Sequence, residues 1–389
     1  MNTIITTSIY LLMFVPTLLF CNLSEKYIEK KKSLAIFCGA LSIIIPSFFA
    51  GYRGLNVGVD IKTYAYNIYS IALESTDIIS CLTKTSNYGL ERVETGYVVM
   101  AFIATRLIND IKFFLFITEF MIILPIFSVA IILRKRISPT AIMATFLFIF
   151  YISTFNIMRQ SIAAAWLLLA VVLFKVRRKF WSFIFSAMSI CFHRTSIILL
   201  PIILIIYYLI QENNKKSKSV VLLGMLFLLG AVIINSSDLI VQLMDSQLID
   251  KYKNIIVAFF SSDVKTYRSL TIQAYGEIIT HVVFGLIGIY IFIKKKDPIN
   301  FKNFLCTLGF LSLLTYLSFV ILFNSVYGYR LTWQLDFFLV LIFPTIYNRP
   351  HKNKTYSNNI VFWTINFSCL FLGYAYLGWH GTLPLTFNI

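Results

Sequence analysis

Arg53, Arg159, Arg194 and Arg330 each lie at the margin of a strongly apolar run. A guanidinium there keeps its full charge, because it cannot be neutralised by losing a proton. Each arginine has polar company at close spacing. "GYRGLNVGVDIKTY" follows Arg53 with Asp60, Lys62 and Tyr64, and "FNIMRQSIAAA" sets Asn156 and Gln160 about Arg159. "FHRTS" joins His193 to Arg194, and "NSVYGYRLTWQ" gathers Tyr327, Tyr329 and Gln334 around Arg330. Taken singly, each has a plainer reading. An arginine at the end of an apolar run snorkels to lipid phosphate, a histidine at a turn is commonly structural, and Asp60 after a glycine can cap a helix. Taken together, four guanidiniums at one depth point to an anionic ligand bound between helices.

The elements that carry them belong to a membrane. The chain has 389 residues, 58% hydrophobic and only 13% charged, with a mean hydropathy of +0.80. That is too apolar for a soluble domain of ordinary class. Apolar runs long enough to cross ~30 Å of hydrocarbon recur along its length. The expected fold is therefore all-α, a polytopic integral membrane protein of one transmembrane domain over 1–389. Crossings are expected near 4–21, 34–50, 112–133, 139–156, 159–174, 180–193, 195–210, 219–235, 276–293, 303–323, 330–347 and 360–379. The first run lacks a basic leader and a cleavage site, so it reads as a retained span. The six cysteines include no CxxC pair and suggest neither zinc nor a disulfide framework.

Charge sets the orientation. Basic clusters at 26–32, 134–136, 175–179, 215–218, 294–296 and 349–354 punctuate the apolar runs, and such clusters collect on the cytoplasmic side. Twelve crossings put all six there and both termini outside. With Lys302, these clusters exceed their neighbouring acids (Glu25, Glu29, Glu212 and Asp297) by the whole net charge of +17. The basic excess is thus topological and calls for no nucleic acid. Two choices keep this register. Residues 95–108 are read as a helix lying on the outer surface, within an outer loop over 51–111. Residues 180–210 are read as a hairpin with "CFHRTS" at its outer tip. A second outer loop occupies 236–275. The polar residues of the opening paragraph then share the outer boundary. Glu119 and Asp336 lie inside apolar runs, where acids are costly and commonly functional; Asp336 is expected to pair with another helix, and His281 to pack inside the bundle.

At these residues the sequence resembles the EpsG/Wzy-type polysaccharide polymerases of bacterial envelopes. The resemblance rests on "YRGLNVGVDIKTY", "NIMRQSIA", "FHRTSIILLP" and a late "YGYR", in that order, with "ERVETGYVVMAFI" between the first two. It implies a glycosyltransferase on the outer face of a bacterial cytoplasmic membrane. That enzyme joins oligosaccharide repeat units carried on undecaprenyl pyrophosphate into O-antigen, capsule or exopolysaccharide. Arg159 and Arg330 would then hold the donor pyrophosphate, assisted by Arg53 and Arg194. Asp60, or alternatively His193, would take the proton of the acceptor hydroxyl. Tyr64, Tyr327 and Tyr329 would stack on sugars or fix the arginines, with Asn156 and Gln160 completing the binding set. The loop and surface helix also resemble, more loosely, the plan of GT-C glycosyltransferases. No metal and no cofactor are expected; a chain-length regulator and a flippase are candidate partners, besides membrane lipid. An O-antigen ligase or another lipid-linked-sugar transferase is the alternative, and a flippase for the same lipid-linked unit a further one.

Overall fold

The computed structural model describes residues 3–90, 93–197, 199–201, 203, 333–347 and 356–376. Among them the structure is helical and contains no strand. The chain divides into two compact units, Met1–Leu200 with Phe337–Ile389, and Pro201–Asp336. The second falls almost wholly outside the described residues; within it Gln334 and Asp336 are buried on a helical turn. Residues 236–275, His281, Tyr327, Tyr329 and Arg330 lie outside the described residues.

Among the described residues of the first unit, four helices are long and apolar enough to cross a membrane: α1 (Thr3–Tyr27), α2 (Lys32–Gly51), α6 (Ile111–Ile132) and α8 (Met158–Lys175). Shorter helices stand between and after them. They are α3 (Tyr66–Glu74), α4 (Ile78–Asn87), α5 (Thr95–Leu107), α7 (Pro139–Thr145), α9 (Lys179–Phe192), α10 (Leu339–Ile342) and α11 (Tyr356–Ser368). α1 packs on α2, α2 on α6, α6 on α8, and α8 on α9. The α2–α6 pair runs antiparallel and close. A Cβ on Gly39 would stand 2.9 Å from the Phe127 ring, and one on Gly51 would stand 2.7 Å from the Lys112 carbonyl. Between helices in lipid, backbone approach of this kind replaces the missing hydrophobic drive.

On α9 the burial pattern is inverted relative to a helix of a soluble bundle. α9 buries Ser182, Ser186 and Ser189 while Phe183 is 75% exposed. Its serines reach across to α8, Ser182 Oγ donating to the Ala170 carbonyl at 2.8 Å and Ser189 Oγ to the Ala163 carbonyl at 2.7 Å. Leu12, Leu19, Ile36 and Phe37 are likewise turned outward on α1 and α2. Hydroxyls inside and large apolar groups outside suit a hydrocarbon solvent. This is an integral membrane protein.

The expected crossings over 4–21, 34–50, 112–133 and 159–174 coincide with these four helices, α1 running six residues further. The stretch 139–156 is less regular than expected. α7 passes into a π-helix (Phe146–Phe150), then a 3-10 turn (Ser153–Phe155). The Tyr374 hydroxyl donates to the Ile149 carbonyl there, so the loosened backbone remains satisfied. α5, at 13 residues, is about 20 Å long and short of the ~30 Å hydrocarbon core. It packs on α3, α4, α6 and α9. The helix breaks at 193–194, within the expected outer tip "CFHRTS"; most of the second arm of that hairpin, 195–210, lies outside the described residues. Ser189 Oγ, whose proton goes to the Ala163 carbonyl, lies 2.8 Å from the Ser196 hydroxyl, a contact that a continuous helix could not make across seven residues.

Two ends of this unit differ in character. The turns α1–α2, α6–α7 and α8–α9 carry Lys30–Lys32, Arg134–Arg136 and Arg177–Lys179. Arg134 reaches Glu29 at 3.7 Å, which ties two of these turns together at one end. At the opposite end the loop 52–60, the turn 151–157, the start of α5 and the turn 193–194 meet.

Candidate functional site

The loop after α2 is fixed by backbone geometry. Gly58 has φ +101° and lies against the Phe155 carbonyl, where a Cβ would stand 2.4 Å from the oxygen. Only glycine fits both requirements. That approach aligns the next two residues with the start of α8. The Val59 amide donates to Asn156 Oδ1 at 2.6 Å, and the Met158 amide donates to Asp60 Oδ2 at 3.0 Å. α8 has no side-chain cap of its own, Ile157 being at its N-cap. Asp60, 98 residues upstream, supplies one.

Tyr64, one turn beyond Asp60, donates its hydroxyl to the same Oδ2. Burial, then the charge of Asp60, raise the Tyr64 phenol well above its ordinary range, so it remains the donor. Its ring lies beneath Arg159, with Cζ 4.4 Å from the ring centroid, and it meets Tyr97 edge-on at 5.7 Å. Tyr64 thus holds Asp60 with its hydroxyl and Arg159 with its ring.

Arg53 is 1% exposed. Its Nη1 donates to the Ala50 carbonyl at 2.6 Å, Nε to the Val57 carbonyl at 3.3 Å and Nη2 to Met158 Sδ at 3.5 Å, while Cζ stands 4.2 Å over Phe155. Arg53 closes the end of α2 and locks its loop to α8; it presents these donors to protein. Glu119, for which the sequence offers no partner, is fully buried. It accepts from Thr154 Oγ1 at 3.1 Å on both carboxylate oxygens, and the charge of Arg53 acts on it.

The remaining charged side chains converge on Glu94, which no sequence pattern singled out as a site residue. It is the N-cap of α5 but makes no cap bond there. Its longer arm crosses to α8, where Oε2 accepts from Arg159 Nη1 in an ion pair. Oε1 accepts from the Arg194 backbone amide at 3.5 Å and lies 4.0 Å from His193 Nε2. Gly96 makes this possible. A Cβ there would stand 2.6 Å from the Cys191 carbonyl, so α5 begins directly against the last turn of α9. Glu94, two residues before Gly96, is thereby set beside His193, two residues after Cys191. His193 ends α9 in an extended conformation. Its Nδ1 lies 2.7 Å from Thr195 Oγ1 and 3.4 Å from the Thr195 amide nitrogen, which leaves the Nε2 edge toward Glu94.

Glu94 is 7% exposed, and the Arg159 and His193 side chains 17% and 15%. Arg194 is exposed beside them and Gln160 is buried on α8, its Nε2 without a hydrogen-bond partner. Of the residues read from the sequence, Asp60, Tyr64, Asn156, Arg159, His193 and Arg194 come together here; Arg53 stands behind them. Among the described residues no three His, Cys, Asp or Glu side chains converge to hold a metal ion. The arrangement can bind an oxyanion through Arg159 and Arg194, with a carboxylate and an imidazole adjacent to move a proton.

The EpsG family model matches residues 36–387, nearly the whole chain. The chain belongs to the EpsG family. This is the Wzy-type polysaccharide polymerase family, and the match contains every element described above except α1 and the first turn of α2. No curated protein and no solved structure matches. In this EpsG-family chain the motif residues of "GLNVGVD", "NIMRQ" and "FHRTS" are distant in sequence but share one end of the bundle. Glu94, in "ERVETGY", joins the second motif to the third.

Proposed function

We propose that this protein is a polysaccharide polymerase joining repeat units carried on undecaprenyl pyrophosphate, on the outer face of a bacterial cytoplasmic membrane. The observation that carries the reading is the group Arg159–Glu94–His193 at the end of the bundle opposite the basic turns. Basic turns favour the cytoplasm, so that group would face outward. Twelve crossings, with α5 on the outer surface as in the GT-C plan, agree with this orientation.

In the reaction, the acceptor hydroxyl oxygen attacks the anomeric carbon of the donor glycan. Its proton passes to a base, and the bond from that carbon to the pyrophosphate oxygen breaks with its electron pair. Negative charge grows on the leaving oxygens, where the guanidinium of Arg159, held over Tyr64, and that of the exposed Arg194, with Arg330 from the late motif, would stabilise it. Asp60 and His193 were the two bases suggested by the sequence. His193 is favoured, because Asp60 Oδ2 already accepts from the Met158 amide and the Tyr64 hydroxyl. A flippase and a chain-length regulator would work alongside.

Deleting the gene should leave single repeat units on the final acceptor and remove the long polymer ladder. The purified protein should extend a synthetic lipid-linked repeat unit in vitro. Loss of every surface repeat unit would instead indicate a flippase or ligase, and transfer to lipid A–core in reconstitution would single out the ligase.

A further inference from the structure

The two oxygens of Glu94 have different partners. Oε2 accepts from Nη1, one arm of the Arg159 fork, whereas Oε1 is directed at the Arg194 amide and His193 Nε2. A ligand phosphate would seek that same fork. Two anions cannot share one guanidinium edge without strong repulsion at this degree of burial. Yet removing Glu94 while no ligand is bound would leave the largely buried Arg159 charge to Asp60 alone, whose Oδ2 already accepts from the Met158 amide and the Tyr64 hydroxyl. Both demands are met if the carboxylate alternates with the ligand.

We propose that Glu94 is the exchangeable counter-ion of Arg159, displaced from the guanidinium by a lipid-borne pyrophosphate. The ligand oxygens take the Arg159 fork and Oε2 is released, while the Arg194 amide and His193 retain the carboxylate through Oε1. Glu94 is therefore a positioning residue, acting through Arg159 and His193. Its release coincides with arrival of the donor, and the freed negative charge beside His193 favours uptake of the acceptor proton by the imidazole. The identity of the lipid rests on the polymerase reading; the exchange itself requires only a pyrophosphate.

The test uses the full chain in detergent with farnesyl pyrophosphate as the probe. Glu94→Gln keeps the shape and removes the competing charge, so the probe should bind at least about tenfold more tightly than to the parent. Glu94→Asp keeps the charge but withdraws it by one methylene; it should tighten binding by a smaller factor, and it serves if the glutamine variant does not fold. Arg159→Gln should abolish binding. In polymerisation, Glu94→Gln should lower both KM for the lipid-linked donor and kcat, a split that a merely structural role would not produce. Unchanged or weaker probe binding in a folded Glu94 variant overturns the proposal, as does the absence of probe binding in every form. Tighter binding in a protein that makes no polymer would keep the exchange and reject the polymerase. A parent that polymerises with no tightening in the variant would do the reverse.

Discussion

Lysine keeps the charge of Arg159 and loses its planar fork, which separates an anchor from a ligand clamp. If Arg159 only snorkelled to lipid phosphate, a point charge would suffice. A guanidinium set over the Tyr64 ring and paired with Glu94 is oriented beyond that need. Arg159→Lys should preserve protein level and lower polymerisation in vitro by about 10²–10³-fold, the usual loss when one oxyanion donor is removed. Arg106, outside every motif, reads from the sequence as a residue that would tolerate lysine. In the structure its guanidinium donates to the Ser75 carbonyl, and to that of Ala72 at 3.3 Å, securing the end of α3. Exposed Arg178 is the sounder control, and Arg178→Lys should match the parent. Equal activity in both variants would reduce Arg159 to a membrane anchor. At this scale the sequence disclosed residue types but not pairings. Asp60 after a glycine could be read as base or as cap, and the bond to Met158 that supports the cap joins positions 98 apart. Glu94 belonged to "ERVETGY", a stretch that carried the resemblance, but its role in the site was not legible, because its partners are 65 and 100 residues away.

Elements were more legible than pairings, because length and hydropathy are local properties. α2, α6 and α8 begin and end within two residues of the expected crossings. α1 continues past its apolar run because "NLSEKY" contains nothing that breaks a helix. The π and 3-10 turns over 146–155 were not legible. They depend on tertiary bonds such as the Tyr151 hydroxyl to the Pro46 carbonyl at 2.6 Å. The junction between the α2 loop and α8 depends on Gly58. Gly58→Ala adds both a left-handed backbone cost of about 1–2 kcal/mol and a clash with the Phe155 backbone. Gly89 has φ +72° with open space around it, so Gly89→Ala carries the backbone cost alone. Thermal unfolding in detergent should therefore show Gly58→Ala clearly less stable than Gly89→Ala. Equal loss would mean that the loop can withdraw from Phe155 without strain.

For the whole molecule, the side of the membrane on which the site works follows from which helices cross. The net charge of +17 is informative only through its placement. The Arg134–Glu29 contact supports that placement by holding two basic turns at one end, whereas Asp60, Glu94, Arg159 and His193 meet at the other. This separation holds only if α5 does not cross between α2 and α6. Its length of about 20 Å favours that, and so does the Arg106 bond to the end of α3. In a cysteine-free background, Thr83→Cys on α4 and Lys135→Cys on the α6–α7 turn are both exposed reporters. An impermeant maleimide applied to intact cells should label position 83 and spare position 135, and lysis should make position 135 reactive. Labelling at both positions would mean that α5 spans the membrane after all and that the outer grouping fails. Labelling at 135 alone would invert the molecule, turning the Arg159 site toward the cytoplasm, where a polymerase of outward-facing lipid-linked sugars could not work.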